Sequence, residues 1–295
     1  MAEEGLRACG LPLWTNAWRW QRQPRELPGP RAARAACRIK GAVDRVTDLD
    51  VISKGSPVSH PDDLFPEYPL PWEMSAAERV VLIGLLSRLR PEVAMEVGTH
   101  FGGSLQALVA HCGAVHSIDI DPGVRDRLAA RFPQVRFHIG PSRELIPPVM
   151  QEIAARGLRL GFVLVDGDHS AAGVKSDIEA LLRHRPAGPL HLLLHDSFNP
   201  DCRKGMKQAA WADCPYVHAV ELDFVPGTFH EAAEGGAFAR SMWGGFALAV
   251  LRPDPRTGPL VLGQSQEALQ RVIFRQSAHR LWHKVGRAWR RLAGD

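Results

Sequence analysis

The sequence predicts an α/β protein: a doubly wound, mostly parallel sheet of seven strands, with helices on both faces and an antiparallel strand at one edge. Three observations carry that expectation. Short, continuously apolar runs alternate with helical segments over residues 93–194, and strands buried on both faces of a parallel sheet read as unbroken apolar runs. The first run opens onto a glycine turn, Glu96-Val97-Gly98-Thr99-His100-Phe101-Gly102-Gly103-Ser104. Beyond Phe198, two more apolar runs at 216–225 and 246–251 follow with no crossover helix between them, which predicts an antiparallel pair at the sheet edge.

The organised part begins at Ser75. Serine followed three residues later by Glu78 has the spacing of a capping box. Val80, Val81, Ile83, Leu85, Leu86 and Leu89 continue it as a helix, which Pro91 stops. Strands are expected at 93–97, 115–119, 135–139, 160–165 and 190–194. Helices are expected between them at 103–111, 122–131, 143–155 and 171–183. Asp121 is the expected cap of the second of these, with Pro122 at its first position. Asp168 and Ser170 compete to cap the last, and for Asp168 capping is the expected role. A further helix is expected at 204–212. The connection between the two late strands holds Gly227, Gly235, Gly236, Gly244 and Gly245 instead of a helical pattern.

Composition bounds the function classes. The chain has 295 residues, 45% of them apolar, enough for one sizeable domain with extensions or for two domains. Its net charge is +4, and residues 266–295, with seven Lys or Arg and two acids, account for more than all of it. The rest is near neutral, which argues against a nucleic-acid binder. Cys9, Cys37, Cys112, Cys202 and Cys214 are odd in number and lack C-x-x-C spacing, so neither a disulfide framework nor a zinc site is expected. No membrane span and no signal peptide are read, and a cytoplasmic protein is the expectation. The domain layout expected is an N-terminal extension at 1–70, punctuated by prolines, a main domain at 71–255, and a basic amphipathic helix at 256–295. Trp14, Trp18 and Trp20 are expected to pack on the main domain, or to form a lid or a subunit contact.

In an open parallel sheet, ligands bind outside the carboxyl ends of the strands. Those ends carry Glu96 and Gly98, Asp119 and Asp121, Gly140 and Ser142, Asp166-Gly167-Asp168-His169, and His195-Asp196. Glycines let a backbone approach a ligand closely, and a helix start offers unpaired N–H groups. Asp119, at the second strand end, is placed to accept hydrogen bonds from ribose hydroxyls. Together these point to a nucleoside cofactor. Adjacent parallel strands lie about 4.8 Å apart, so Asp166 and Asp196 can converge. Paired carboxylates need a cation, or one must protonate. Carboxylates suit Mg, Mn or Ca, and an imidazole from His195 suits Mn or another transition metal. His169, three residues past Asp166, is a candidate general base. Plainer roles stand beside these: caps for Glu96, Asp119 and Asp168, a turn at Gly140 and Ser142, a satisfied strand-end histidine for His195, and a grip on a cofactor amine for Asp166 and Asp196.

At these residues the chain resembles the class I S-adenosylmethionine-dependent methyltransferases. It is most similar to the small-molecule O-methyltransferase branch of catechol- and caffeoyl-CoA-type enzymes, and to macrolide-sugar O-methyltransferases and cephalosporin-hydroxylase-like proteins. The motif E-V-G-x-x-x-G-x-S at 96–104, the V-D-G-D-H-S segment and the L-H-D-S segment carry the resemblance, which covers about 71–253. A dinucleotide dehydrogenase would show G-x-G-x-x-G instead. The resemblance implies S-adenosylmethionine as cofactor. Gly98, Thr99, Gly102 and Ser104 would lie by its methionine portion, and Glu96 would order that loop. Asp119 would bind the ribose, and Gly140 with Ser142 would flank the adenine. Asp166 would lie near the sulfonium and ligate a metal, Mg or Mn, together with Asp196. His195 stands where the sugar-modifying relatives carry a carboxylate ligand, and Ser197 where the catechol type carries asparagine. His169 matches the base of the D-x-x-H motif. The implied activity is methyl transfer to a hydroxyl of a small molecule, a sugar or an aromatic or polyketide natural product. A non-methylating cofactor-binding partner and a macromolecular methyltransferase are the rival classes.

Aromatic residues at 211–243, namely Trp211, Tyr216, Phe224, Phe229, Phe238 and Trp243, with His230, are the candidates to cover the acceptor. From Glu267, apolar positions at helical spacing interleave with basic ones. This predicts a helix that packs on the domain or a second subunit, or lies on an anionic membrane surface.

Overall fold

The computed structural model describes residues 65–230, 240–277 and 279, all within the unit formed by residues 58–295. The expectations for Trp14, Trp18, Trp20, Phe238 and the helix beyond residue 279 lie outside the described residues.

Helix α1, Ala76–Leu89, starts at the expected capping box. The Glu78 N–H donates to Ser75 Oγ, and the Ser75 N–H donates to the Glu78 carboxylate at 2.6 Å. There follow β1 (Val93–Val97), α2 (Gly103–His111), β2 (Ala114–Asp119), α3 (Gly123–Leu128), β3 (Val135–Ile139), α4 (Ser142–Ala155), β4 (Leu160–Val165), α5 (Ala171–Leu182) and β5 (Leu190–His195). The chain continues through α6 (Pro200–Gln208), β6 (Val217–Val225), β7 (Thr228–His230), β8 (Ser241–Trp243), β9 (Phe246–Leu251), β10 (Leu262–Gly263) and α7 (Glu267–Gln276).

The main sheet has the order β10-β6-β9-β5-β4-β1-β2-β3. β9 runs antiparallel to both β5 and β6, and the other pairings are parallel. The doubly wound, mostly parallel class is thus as expected, with two corrections. The sheet has eight strands rather than seven, because the two-residue β10 is too short to leave an apolar run. The reversed strand β9 is not at the edge, since β6 and β10 lie beyond it. The glycine-rich connection between β6 and β9 contributes a separate antiparallel ribbon of β7 and β8.

Alternate residues of each strand face two cores. Val93, Met95 and Val97 join Ile146, Ile178 and Met206 under α4, α5 and α6. Ala94 joins Leu82, Leu86, Leu105 and Leu108 under α1 and α2. Leu82, Leu105, Ile146 and Ile178 are fully buried, and each such side chain contributes about 1.5–3 kcal/mol relative to exposure.

Local capping chemistry moves several boundaries. Asn199 accepts N–H bonds from Asp201 and Cys202, so α6 starts at Pro200 rather than at 204. Ser170, not Asp168, caps α5 by accepting the Gly173 N–H, while Asp168 accepts the Ser170 N–H at 2.8 Å. Asp121 accepts the Gly123 N–H, and α3 ends at Leu128 instead of 131. Residues before 71 also contact the core. Tyr68 is buried with Leu82, and the Leu70 backbone exchanges two hydrogen bonds with the Gln106 side chain. The sheet continues past residue 255, since β10 pairs with β6. α7 is tied down at Glu267, which holds Arg203 and Lys207 of α6, each at 3.1 Å. No helix among the described residues is long and apolar enough to cross a membrane.

Candidate active site

β1 pairs with both β2 and β4, so the strand order reverses there and a crevice opens at the carboxyl ends. A cavity of about 1400 Å³ fills it. Its wall includes Gly98, Thr99, Ser104, Asp119, Gly140, Ser142, Asp166, His169, His195 and Asp196. Two expected cofactor-binding residues, Glu96 and Gly102, are absent from that wall. Gly102, at φ 82, turns toward Leu128 and Leu70. Its glycine is required by a left-handed helix cap and close packing rather than by a ligand.

Glu96 is fully buried behind the turn. Its two oxygens accept the Ser104 hydroxyl at 2.5 Å and the Thr99 hydroxyl at 2.8 Å. It therefore ties Thr99 and Ser104 together without facing the cavity. The Ser104 hydroxyl is thereby committed to Glu96. Burial pushes the Glu96 carboxyl up to about 7, against the pull of these two hydroxyls. A carboxyl raised in the folded state binds its proton more tightly folded than unfolded. The stabilisation is therefore present below about pH 4.5 and is lost as pH rises toward 7. Glu96→Gln is expected to flatten this part of the stability profile, as measured by melting temperature from pH 5 to 8. A slope unchanged from that of the unaltered chain would contradict it.

Asp119 also organises the turn. Its Oδ2 accepts the Thr99 and His100 N–H groups, and its Oδ1 accepts that of Asp121. A carboxylate offers about four lone-pair positions. One therefore remains toward the cavity, where two ribose hydroxyls were expected. Gly98, at φ 84, is required by the neighbouring strand: a Cβ there would meet the Asp166 carbonyl oxygen at 2.0 Å. At the other wall, the Ser142 hydroxyl donates to Asp177 Oδ1 at 2.6 Å. Burial raises the Asp177 carboxyl to about 6.

β4 and β5 end in a cluster of charge. His195 is buried, with Nδ1 2.9 Å from Asp166 Oδ1 and Nε2 3.1 Å from Glu78 Oε1. His169 Nε2 lies 3.1 Å from Asp196 Oδ2 and 3.4 Å from Asp166 Oδ1. Trp243 stands edge-on to the His169 ring, with centroids 5.6 Å apart. Burial works to raise Asp166, but the charge of His195 and the bond to His169 overcome it and hold the carboxyl down at about 2. Burial leaves Asp196 raised despite His195. The hydrogen bond to Asp166 raises His169. For His195, burial is outweighed by Asp166 and Glu78, and its pKa stands well above the usual histidine value.

Sequence reasoning missed Glu78 as a site residue, because the capping box already explained it. It also missed Trp72, Gly244 and Asp177, which line the cavity. Of the aromatic candidates, Trp243 and His230 reach the wall, whereas Trp211 is core, its indole N–H held by the Met206 carbonyl.

One donor atom each from Asp166, His195 and Asp196 lie within 4.8 Å of one another, a spacing that fits a single ion. Glu78 on the far nitrogen of His195 is the kind of outer carboxylate that metal-bound imidazoles generally have. These residues therefore fit the expected Mg or Mn, and the two-carboxylate, one-imidazole set favours Mn. A second group, His116, His138 and Glu152, is similarly close, but its glutamate is paired with Arg136 and Arg156.

Residues 95–197 match a family described as a methyltransferase domain. No curated protein matches the sequence significantly. Among solved structures, the chain is similar to an O-methyltransferase from Bacillus cereus in complex with S-adenosylhomocysteine, at 16% identity over 69% of this chain and 94% of that one, TM-score 0.46. It is similar to the O-methyltransferase TomG from Streptomyces achromogenes, involved in tomaymycin synthesis, at 17% identity over 68% and 91%, TM-score 0.45. An rRNA methylase from Streptococcus thermophilus shares 8% identity over 59% and 95%, TM-score 0.39. The matched segment begins within β1 and ends just past β5, so the likeness to a methyltransferase domain falls on the strands and turns that line the cavity.

Proposed function

We propose that the chain methylates a hydroxyl of a small molecule, and that a divalent ion held by Asp166, His195 and Asp196 assists. The observation that carries this reading is the cluster at the ends of β4 and β5. A half-exposed imidazole, His169, stands within hydrogen-bond reach of two carboxylates at the cavity wall. When bound, S-adenosylmethionine supplies a methyl group on a sulfonium: the C–S bond breaks as the C–O bond forms, and the hydroxyl proton must leave. A divalent ion would lower the pKa of a hydroxyl placed on it.

His169 takes that proton, and Asp166 and Asp196 hold its ring toward the acceptor. Gly98, Thr99, Ser104, Asp119, Gly140 and Ser142 line the cofactor side, with Glu96 and Gly102 shaping the turn from behind. Trp72, Trp243 and His230 line the remaining wall, where flat apolar faces suit a sugar or an aromatic ring. A panel of hydroxylated sugars and aromatic natural products, assayed with labelled S-adenosylmethionine, tests the reading. Chelator and Asp196→Ala are both expected to abolish turnover while cofactor binding, followed by calorimetry, survives. Full turnover under both conditions would remove the ion from the proposal.

A further inference from the structure

Glu78 is 3% exposed, and a helix cap uses only half of it. Oε2 closes the capping box on the Ser75 N–H. Oε1 points away from the cap, lies 3.1 Å from His195 Nε2 and accepts from the Gly245 N–H at 2.5 Å. The preceding Gly244 N–H donates to Asp196 Oδ1 at 2.5 Å. Two successive N–H groups of the β8–β9 turn thus grip two different carboxylates, one on each side of His195. Both glycines have left-handed backbone, φ 74 and 81. A Cβ on Gly244 would lie 2.9 Å from Glu78 Oε1 on a backbone that side chains rarely adopt, so glycine suits this close approach. The Phe246 ring lies 5.4 Å from the His195 ring, tilted by 57°.

An imidazole presents two different nitrogens, and the partner of one decides which face and tautomer it offers with the other. Here the two nitrogens face Glu78 and Asp166. We propose that Glu78 is a positioning residue: it accepts the Nε2 proton of His195, so that Nδ1 is the nitrogen turned to Asp166 and Asp196, and it locks the Gly244–Gly245 turn against the ring. Helix α1, which precedes the matched segment, is thereby a working part of the site. The inference rests on the reading of Asp166, His195 and Asp196 given above.

The test is NMR of the full chain with ring-¹⁵N-labelled histidine, the His195 signals being assigned by their loss in His195→Gln. A slowly exchanging Nε2 proton is expected in the unaltered chain and in Ser75→Ala, which breaks the cap alone. It should shift in Glu78→Gln, which keeps shape and an acceptor, and vanish into exchange in Glu78→Ala. Mn²⁺ affinity, by calorimetry, should fall about 10- to 100-fold in Glu78→Ala and less in Glu78→Gln. An unchanged Nε2 proton in Glu78→Ala overturns the proposal. Should that variant fail to fold, an unshifted proton in Glu78→Gln overturns it. A chain that shows the Nε2 proton pattern but binds no Mn²⁺ supports the positioning role and counts instead against the ion-assisted reading.

Discussion

His169→Ala is expected to lower kcat by about 10²- to 10⁴-fold, the range a positioned general base contributes, with no change in S-adenosylmethionine affinity. The ring reaches Asp166 and Asp196 through one nitrogen, Nε2, and lies nearly perpendicular to the Trp243 ring. It donates nothing to the turn that holds Glu96 and Asp119. Its removal is therefore expected to leave the cofactor side intact and to take away the proposed acceptor of the hydroxyl proton. Labelled methyl transfer to the best acceptor of the panel measures kcat, and calorimetry measures cofactor affinity. A loss of affinity equal to the loss of kcat would make His169 a cofactor residue instead.

Gly98→Ala is the second large effect, and it acts on fold and binding together. The added Cβ would lie 2.0 Å from the Asp166 carbonyl oxygen and 2.9 Å from the Gly167 Cα. Both are backbone atoms, so no side-chain rotation relieves the clash, and φ at 84 adds left-handed strain. Strain and overpacking each cost about 1–3 kcal/mol. The relief available is to push β1 away from the β4 loop, which opens the cavity at Thr99 and Asp166. Melting temperature should fall by about 5–15 °C, and the rise that S-adenosylmethionine gives the unaltered chain should disappear. Gly157→Ala is the control: its φ is 69, but no atom lies within 4 Å of the added carbon. A Gly98 variant that melts like the Gly157 variant would show that the close approach of β1 to the β4 loop does not matter.

Much of the architecture was legible because buried parallel strands and capping boxes leave strong local marks. The five parallel strands from Val93 to His195 stand as expected to within a residue. What failed was local competition or long-range contact. Ser170 caps α5 because its side chain reaches the Gly173 N–H, while Asp168, two residues earlier, reaches only Ser170. β10 carries just Leu262 and Gly263 into the sheet, too little to register as a strand. At the site, reading strand ends found the residues that share an edge but not the direction each faces. Glu96 sits one residue before Val97 on the pleat and so turns away from the cavity, under α2. Glu78 meets His195 across 117 residues, a contact that no spacing rule reports, and its capping role concealed the second half of its carboxylate. The convergence of Asp166 and Asp196 was legible because their strands were expected to be neighbours, and the donor atoms of Asp166, His195 and Asp196 do lie close together.

The direct test of the central assignment is calorimetric titration of the full chain with S-adenosylmethionine, beside NAD and beside Asp119→Ala. The assignment predicts saturable one-site binding of S-adenosylmethionine, weakened in Asp119→Ala, and no binding of NAD. Absence of S-adenosylmethionine binding by the folded, unaltered chain, or binding of NAD in its place, would contradict it.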